Sequence, residues 1–109
     1  MEKIYLAIPY TGMQEKSFKM ANKVAAILMK QGKAVYSPIS QSHPIALQEG
    51  LPTTWEYWKD VDIEFLKWCD TMFLVTMDGW EKGVGVQAEI KIAHELNKPI
   101  IYYNTEGLE

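Results

Sequence analysis

The sequence has a single cysteine, Cys69, in 109 residues, so no internal disulfide can staple it. No second cysteine or Cys/His pair stands at metal-ligand spacing. A reducing, cytoplasmic setting is therefore expected, with no metal and no cofactor. Long apolar runs are missing as well. The opening MEKIYLAIPY holds only a few consecutive apolar residues before Pro9, too few for a signal-peptide core or a membrane span. Nor is there a block of one charge. The 11 basic residues lie dispersed among 14 acidic ones, for a net charge of −3, which argues against a nucleic-acid polymer or an anionic membrane as partner. Internal repeats and low-complexity linkers are also absent. What is present is a chain 48% hydrophobic, enough for one core and not two. A single domain over residues 1–109 that holds a small molecule is the expectation.

Lys3 to Ile8 is apolar on both faces, as a strand buried inside a parallel sheet should be. From Met13 to Lys30 apolar side chains recur at Phe18, Ala21, Ala25 and Leu28, with Lys16, Lys19 and Lys23 on another side and Gly32 as a stop. That is an amphipathic helix. Ala34 to Tyr36 reads as a short strand, and Ser37 to Pro52, with three prolines and no sustained period, reads as a long loop. Thr53 or Thr54 is placed to cap a helix running to about Cys69, followed by a strand from Thr71 to Thr76 and a turn at Asp78-Gly79. A helix from Val86 to Asn97 and a strand from Pro99 to Tyr103 complete the chain. The resulting β-α-β-α-β-α-β order predicts an α/β fold: a small flavodoxin-like three-layer sandwich on a mainly parallel sheet of about four strands. Ligands of such sheets bind beyond the carboxyl ends of the strands.

Two carboxylates fall near that edge. Glu89 lies in the opening turns of the last helix, on the side of Ala93 and Leu96. There the helix dipole favours its ionised form, which suits a nucleophile, although a solvated helix-start glutamate has the same spacing. Asp62 stands four residues from both Trp58 and Leu66, inside the stripe Trp55, Trp58, Leu66, Cys69. An unpaired charge on an apolar face is costly, so either a structural donor satisfies it or it faces a polar cavity. Asp60 and Glu64 fall instead with Lys59 and Lys67 on a solvated side, and Asp70, just before a strand, is assigned turn or capping work. Ser37, Ser40 and His43 lie in the long stretch at the ligand edge, where His43 is a candidate contact for a base or phosphate. Tyr10 and Trp80 are placed to stack on a base or cover a sugar, or else to anchor their loops. Gly83-Val84-Gly85-Val86-Gln87-Ala88 matches G-x-G-x-x-A in letters only, because Met77 to Lys82 separate it from its strand and no acidic residue ends the next one. A dinucleotide site is rejected. The two glycines still leave backbone N–H groups available at a helix start.

Taken together, Tyr5-Leu6-Ala7-Ile8-Pro9-Tyr10, Ser37-Pro38-Ile39-Ser40 with His43-Pro44, the helix from Trp58 to Asp62, Cys69-Asp70, Gly79-Trp80 and Gly85-Val86-x-x-Glu89-Ile90 resemble one family. It is a family of uncharacterised, often phage-encoded proteins similar to nucleoside 2-deoxyribosyltransferases and deoxynucleoside monophosphate N-glycosidases. The resemblance covers nearly the whole chain and is most specific from Asp70 to Pro99. It implies that Glu89 attacks the anomeric carbon and that Asp62 steers proton traffic, the sugar passing to a second base or to water. It also implies that neighbouring subunits complete the pocket, so a homodimer or larger assembly is expected. Trp58 and Trp68 point roughly 80° apart around their helix, which agrees. One departure is plain: six residues before the glutamate the transferases carry an aspartate and the monophosphate glycosidases a serine, where this chain has Gly83. Three readings remain: an N-glycosidic enzyme on a nucleoside or nucleotide, a protein that sequesters a nucleotide or ADP-ribose-like signal, and a ligand-free partner module. Retention of Glu89 and Asp62 favours the first, and Gly83 the second.

Overall fold

The computed structural model describes residues 1–108. Four strands, β1 (Lys3–Ala7), β2 (Ala34–Tyr36), β3 (Thr71–Val75) and β4 (Ile100–Tyr103), form one sheet in the order β2-β1-β3-β4. Every pairing is parallel, with Ile4 opposite Val35 and Thr71, and Met72 opposite Ile100. The helices are α1 (Gln14–Lys30), α2 (Pro38–Glu49), α3 (Trp55–Trp68) and α4 (Val84–Glu95), with a short 3-10 turn at Trp80–Lys82.

The alternation of side chains along β1 divides the core in two. Ile4 and Leu6 meet Met20, Ala21, Val24 and Leu28 of α1 on one face. Tyr5 and Ala7 meet Leu66 of α3 and Val86 and Ala93 of α4 on the other. Helices therefore cover both faces, giving the three-layer α/β sandwich expected from the element order. Because β1 lies between β2 and β3, the chain leaves its carboxyl end in opposite directions, which opens a crevice there.

Most boundaries agree with the sequence reading to within one or two residues, and α1 stops at Gly32, whose φ is 84°. The stretch from Ser37 to Pro52 does not agree. It is helical from Pro38 to Glu49 and closes at Gly50 in the left-handed conformation, φ 69°. Pro38 occupies the first turn, where its missing N–H costs nothing, and Pro44 gives up one intrahelical bond in the middle. The period was hidden because the inward positions are Ile39, His43 and Ala46, with a histidine and a small residue where apolar bulk would mark a face. The second crossover thus contains two helices. A second correction concerns Thr54: it is the N-cap of α3, yet its hydroxyl makes no capping bond. Its carbonyl accepts instead, from the N–H groups of Tyr57 at 3.2 Å and Trp58 at 3.3 Å.

Candidate active site

The crevice is an open-mouthed cleft, with about 650 Å³ of space between its walls when the mouth is included. Each wall comes from a different element. The end of β1 and the turn after it supply Ala7, Ile8, Tyr10 and Thr11, and α2 supplies Pro38, Ile39, Ser42 and Ala46. The start of α3 supplies Thr53, Thr54, Trp55, Trp58 and Asp62, and the start of α4 supplies Gly83, Val84, Gly85, Val86 and Glu89. The N–H groups of Val84, Gly85 and Val86 fall in the first turn of α4 and have no partner inside the helix. Gly83's own N–H is taken by the carbonyl of Trp80 at 3.2 Å.

Glu89 is the sixth residue of α4 and 6% exposed. Val86 and Ala93, three before and four after it, are packed in the core, so the helix period turns the carboxylate inward, over β1. Tyr5 is fully buried on β1, and its hydroxyl donates to Glu89 Oε2. Burial pushes the Glu89 carboxyl up to about 8, with the nearby Asp62 adding to the rise and the Tyr5 hydroxyl opposing it. The dipole effect expected from the sequence is overruled: it fades beyond the first turn, and Glu89 sits in the second.

Asp62 projects from α3 into the same cleft, 8% exposed. Among the described residues it has neither a hydrogen-bond partner nor an ion-pair partner, yet no buried side-chain polar atom is left unsatisfied. Its residual exposure must therefore lie at the carboxyl group, facing the cleft. Burial raises its carboxyl to about 7. Tyr36, at the end of β2 and stacked 3.6 Å from Phe65, is pushed up to about 12 by burial and by Asp62. Both phenols near the pair thus remain protonated, and Tyr5 serves as a fixed donor.

The other sequence candidates separate. Tyr10 lines the cleft, but His43 does not. His43 is buried in α2, with Nδ1 2.6 Å from the Tyr10 hydroxyl, Nε2 3.1 Å from Glu15 Oε2 and its ring against Phe18. This anchors Tyr10 from behind, so a direct contact from His43 to a ligand is corrected to an indirect one. Ser37 and Ser40 bond to one another at 2.7 Å and face a shallow groove between α1 and α2 instead. Trp80 packs on the core beside Tyr102, 5.8 Å away, and takes the loop-anchor alternative. Gly83 and Gly85 do line the cleft. Neither has a positive φ, and an added Cβ would come 3.4 Å from Val86 and 3.6 Å from Trp55 respectively. Asp70 lies away from the cleft and accepts from the Lys3 N–H at 2.9 Å, a bond across to β1 rather than the local turn or capping bond expected. Sequence reasoning missed Tyr5, Thr53 and Trp55 as site residues. Trp55 and Trp58 were visible as a stripe leading to Asp62, which was the available signal. Among the described residues no cluster of His, Cys, Asp and Glu could hold a metal.

An all-parallel sheet in the order β2-β1-β3-β4 between two layers of helices defines a class of fold. The fold is that of nucleoside 2-deoxyribosyltransferases. A 2-deoxyribosyltransferase of Bacillus psychrosaccharolyticus superimposes with a TM-score of 0.67 and 27% identity, over 96% of this chain and 74% of that one. One of Leishmania mexicana gives the same TM-score at 18% identity, over 96% of this chain and 65% of that one. Within that class, the chain belongs to the family described as a domain of unknown function (DUF1937), whose model matches residues 2–105. No curated protein sequence matches it.

Proposed function

We propose that this protein acts on the N-glycosidic bond of a nucleoside or nucleotide, a 2-deoxy one in the first instance, through Glu89 as nucleophile. The observation that carries the proposal is the pair of inward carboxylates in one cleft, one held by a buried tyrosine and the other left unpaired. Ionised Glu89 attacks the anomeric carbon, while Asp62, whose raised value lets it hold a proton near neutrality, donates to the base of a neutral nucleoside so that it departs uncharged, and then deprotonates the acceptor. Tyr5 fixes the attacking carboxylate, and Tyr10 with the free N–H groups of α4 is placed to meet the sugar. The likeness to 2-deoxyribosyltransferases supports the substrate class. The test is incubation with a panel of deoxynucleosides and their monophosphates, followed by chromatography. Free base, or an exchanged base when a second one is supplied, supports the reading, and intact substrate throughout overturns it.

A second reading, sequestration without cleavage, draws on one observation: burial pushes the Glu89 carboxyl up to about 8, which disfavours the ionised form a nucleophile needs. We further propose self-association through α3. Tyr57, Val61 and Trp68 are 49%, 45% and 38% exposed and recur at helical spacing along one side. That side is adjacent to the one carrying Trp58 and Asp62, so a second copy would close over the cleft mouth. No described helix is long and apolar enough to cross a membrane, and the buried thiol of Cys69 suits a reducing cytoplasm.

A further inference from the structure

Of the side chains that line the cleft, the charged ones are Asp62 and Glu89, and both are acidic. No lysine, arginine or histidine from a described residue lines it. His43, the basic group nearest in sequence to the α2 wall, is held outside by Tyr10 and Glu15. Asp62 is more than nine-tenths buried, unpaired and turned into the cavity. The remaining polar lining is hydroxyl and backbone N–H, and the apolar part includes the rings of Trp55, Trp58 and Tyr10. Two carboxyl groups beside each other in a half-dry site resist ionising together, and no cation among the described residues lines the cleft to favour it. The missing countercharge is one a ligand can supply, and indole and phenol faces attract the same sign.

We propose that the cleft selects an N-glycoside whose base is a cation, with the positive charge on the glycosidic nitrogen or shared with it through the ring, as in N-glycosylpyridinium or N7-alkylated purine nucleosides. The inference rests on the function proposed above and names its substrate. A cationic base resolves the protonation difficulty at Glu89. Its charge favours ionisation of both carboxyl groups, so a proton is released from the pair on binding. The chemistry then needs no general acid. A Glu89 oxygen forms a bond to the anomeric carbon as the carbon–nitrogen bond breaks, and the electron pair stays on nitrogen, cancelling its charge. The base leaves neutral. Water next attacks the same carbon, passes a proton to the Asp62 carboxylate and restores the Glu89 carboxylate. The sum is cationic nucleoside plus water giving free sugar, neutral base and one proton.

The other titratable groups around the pair are Tyr5 from β1, Tyr36 from β2 and Tyr10 from the turn after β1, all three held protonated chiefly by burial. None adds charge near neutrality, so affinity for the cation should rise with pH as the two carboxyls ionise.

The experiment compares nicotinamide riboside with its 1,4-dihydro form, which has nearly the same shape and no charge. Calorimetry of the full chain near pH 7, in two buffers of different ionisation enthalpy, reads affinity and proton release. Chromatography reads free base. At least tenfold tighter binding of the cation, with proton release, is expected, and Asp62→Asn should shrink that preference several-fold. Wild-type calorimetry alone decides the matter if the variant fails to fold. Equal affinity for the two forms overturns the inference. Cleavage of neutral deoxynucleosides alongside equal affinity overturns it while leaving the proposed function standing. A cation preference with no base ever released supports the inference and overturns the enzymatic reading beneath it.

Discussion

The two ends of the sheet treat charge in opposite ways. At the amino ends every charge on view has an answer. Glu2 accepts from Lys33 at 2.7 Å and from Thr71 at 3.1 Å, Asp70 receives the Lys3 N–H, and Lys98 closes α3 by donating to the carbonyls of Lys67 and Cys69 at 3.0 and 2.6 Å. At the carboxyl ends two acids face one cleft, one of them bonded to a buried phenol, and no cation among the described residues lines it. The same residue types serve both places. Pairing makes the first end structural, and its absence leaves the second available for a ligand.

The contrast is broken most severely by removing the nucleophile. Glu89→Gln keeps size, helix propensity and an acceptor for Tyr5, so the fold should persist while base release falls roughly a thousandfold or more; turnover assays beside circular dichroism check it. Asp62→Asn should lower turnover of a neutral nucleoside by about 10²–10⁴ without lowering the melting temperature, since no structural partner is lost. A large drop in melting temperature would assign Asp62 to the scaffold.

Stability against pH sharpens the comparison, because the two ends have opposite signs. Asp62 and Glu89 are raised, from 3.8 to about 7 and from 4.5 to about 8. Between those limits the native state binds more protons than the unfolded one, so their contribution is fully present below about pH 4 and is lost as pH rises toward 8. Glu2 is lowered by its bonds to Lys33 and Thr71. Its contribution is present above its unfolded value of 4.5 and is lost as pH falls through its folded value. Denaturant unfolding between pH 5 and pH 9 should thus show a declining slope in wild type that flattens in the Asp62→Asn and Glu89→Gln variants. Lys98→Met, which uncaps α3, should cost about 1–3 kcal/mol and leave base release unchanged. Trp68→Glu should shift the light-scattering mass toward that of one chain. Lys33→Ala is the mildest change, at most about 1 kcal/mol by the usual worth of an exposed ion pair.

Much of this division was legible in the sequence. The four strands are short apolar runs, and α1, α3 and α4 show their inward stripes plainly. Glu89 and Asp62 were found because a carboxylate at an inward helical position breaks the apolar period. What escaped was polar structure that looks like something else. α2 turns His43 and Ala46 inward and carries two prolines, so its period is silent, and Ser37, Ser40 and His43 were placed at the ligand edge when their partners are Tyr10, Glu15 and one another. Tyr5 reads as an ordinary strand aromatic, and only the register of β1 against α4 brings its hydroxyl to Glu89. The sign of the Glu89 shift depends on burial that no spacing encodes.

Carboxyl-carbon NMR of the ligand-free protein tests the withheld pairing most directly, by following Asp62 and Glu89 individually through a pH titration. Both should titrate well above the ordinary carboxylate range, Asp62 near 7 and Glu89 near 8, and both should fall when a cationic nucleoside is added. Titration of either group near its ordinary value of 3.8 or 4.5 would contradict the account.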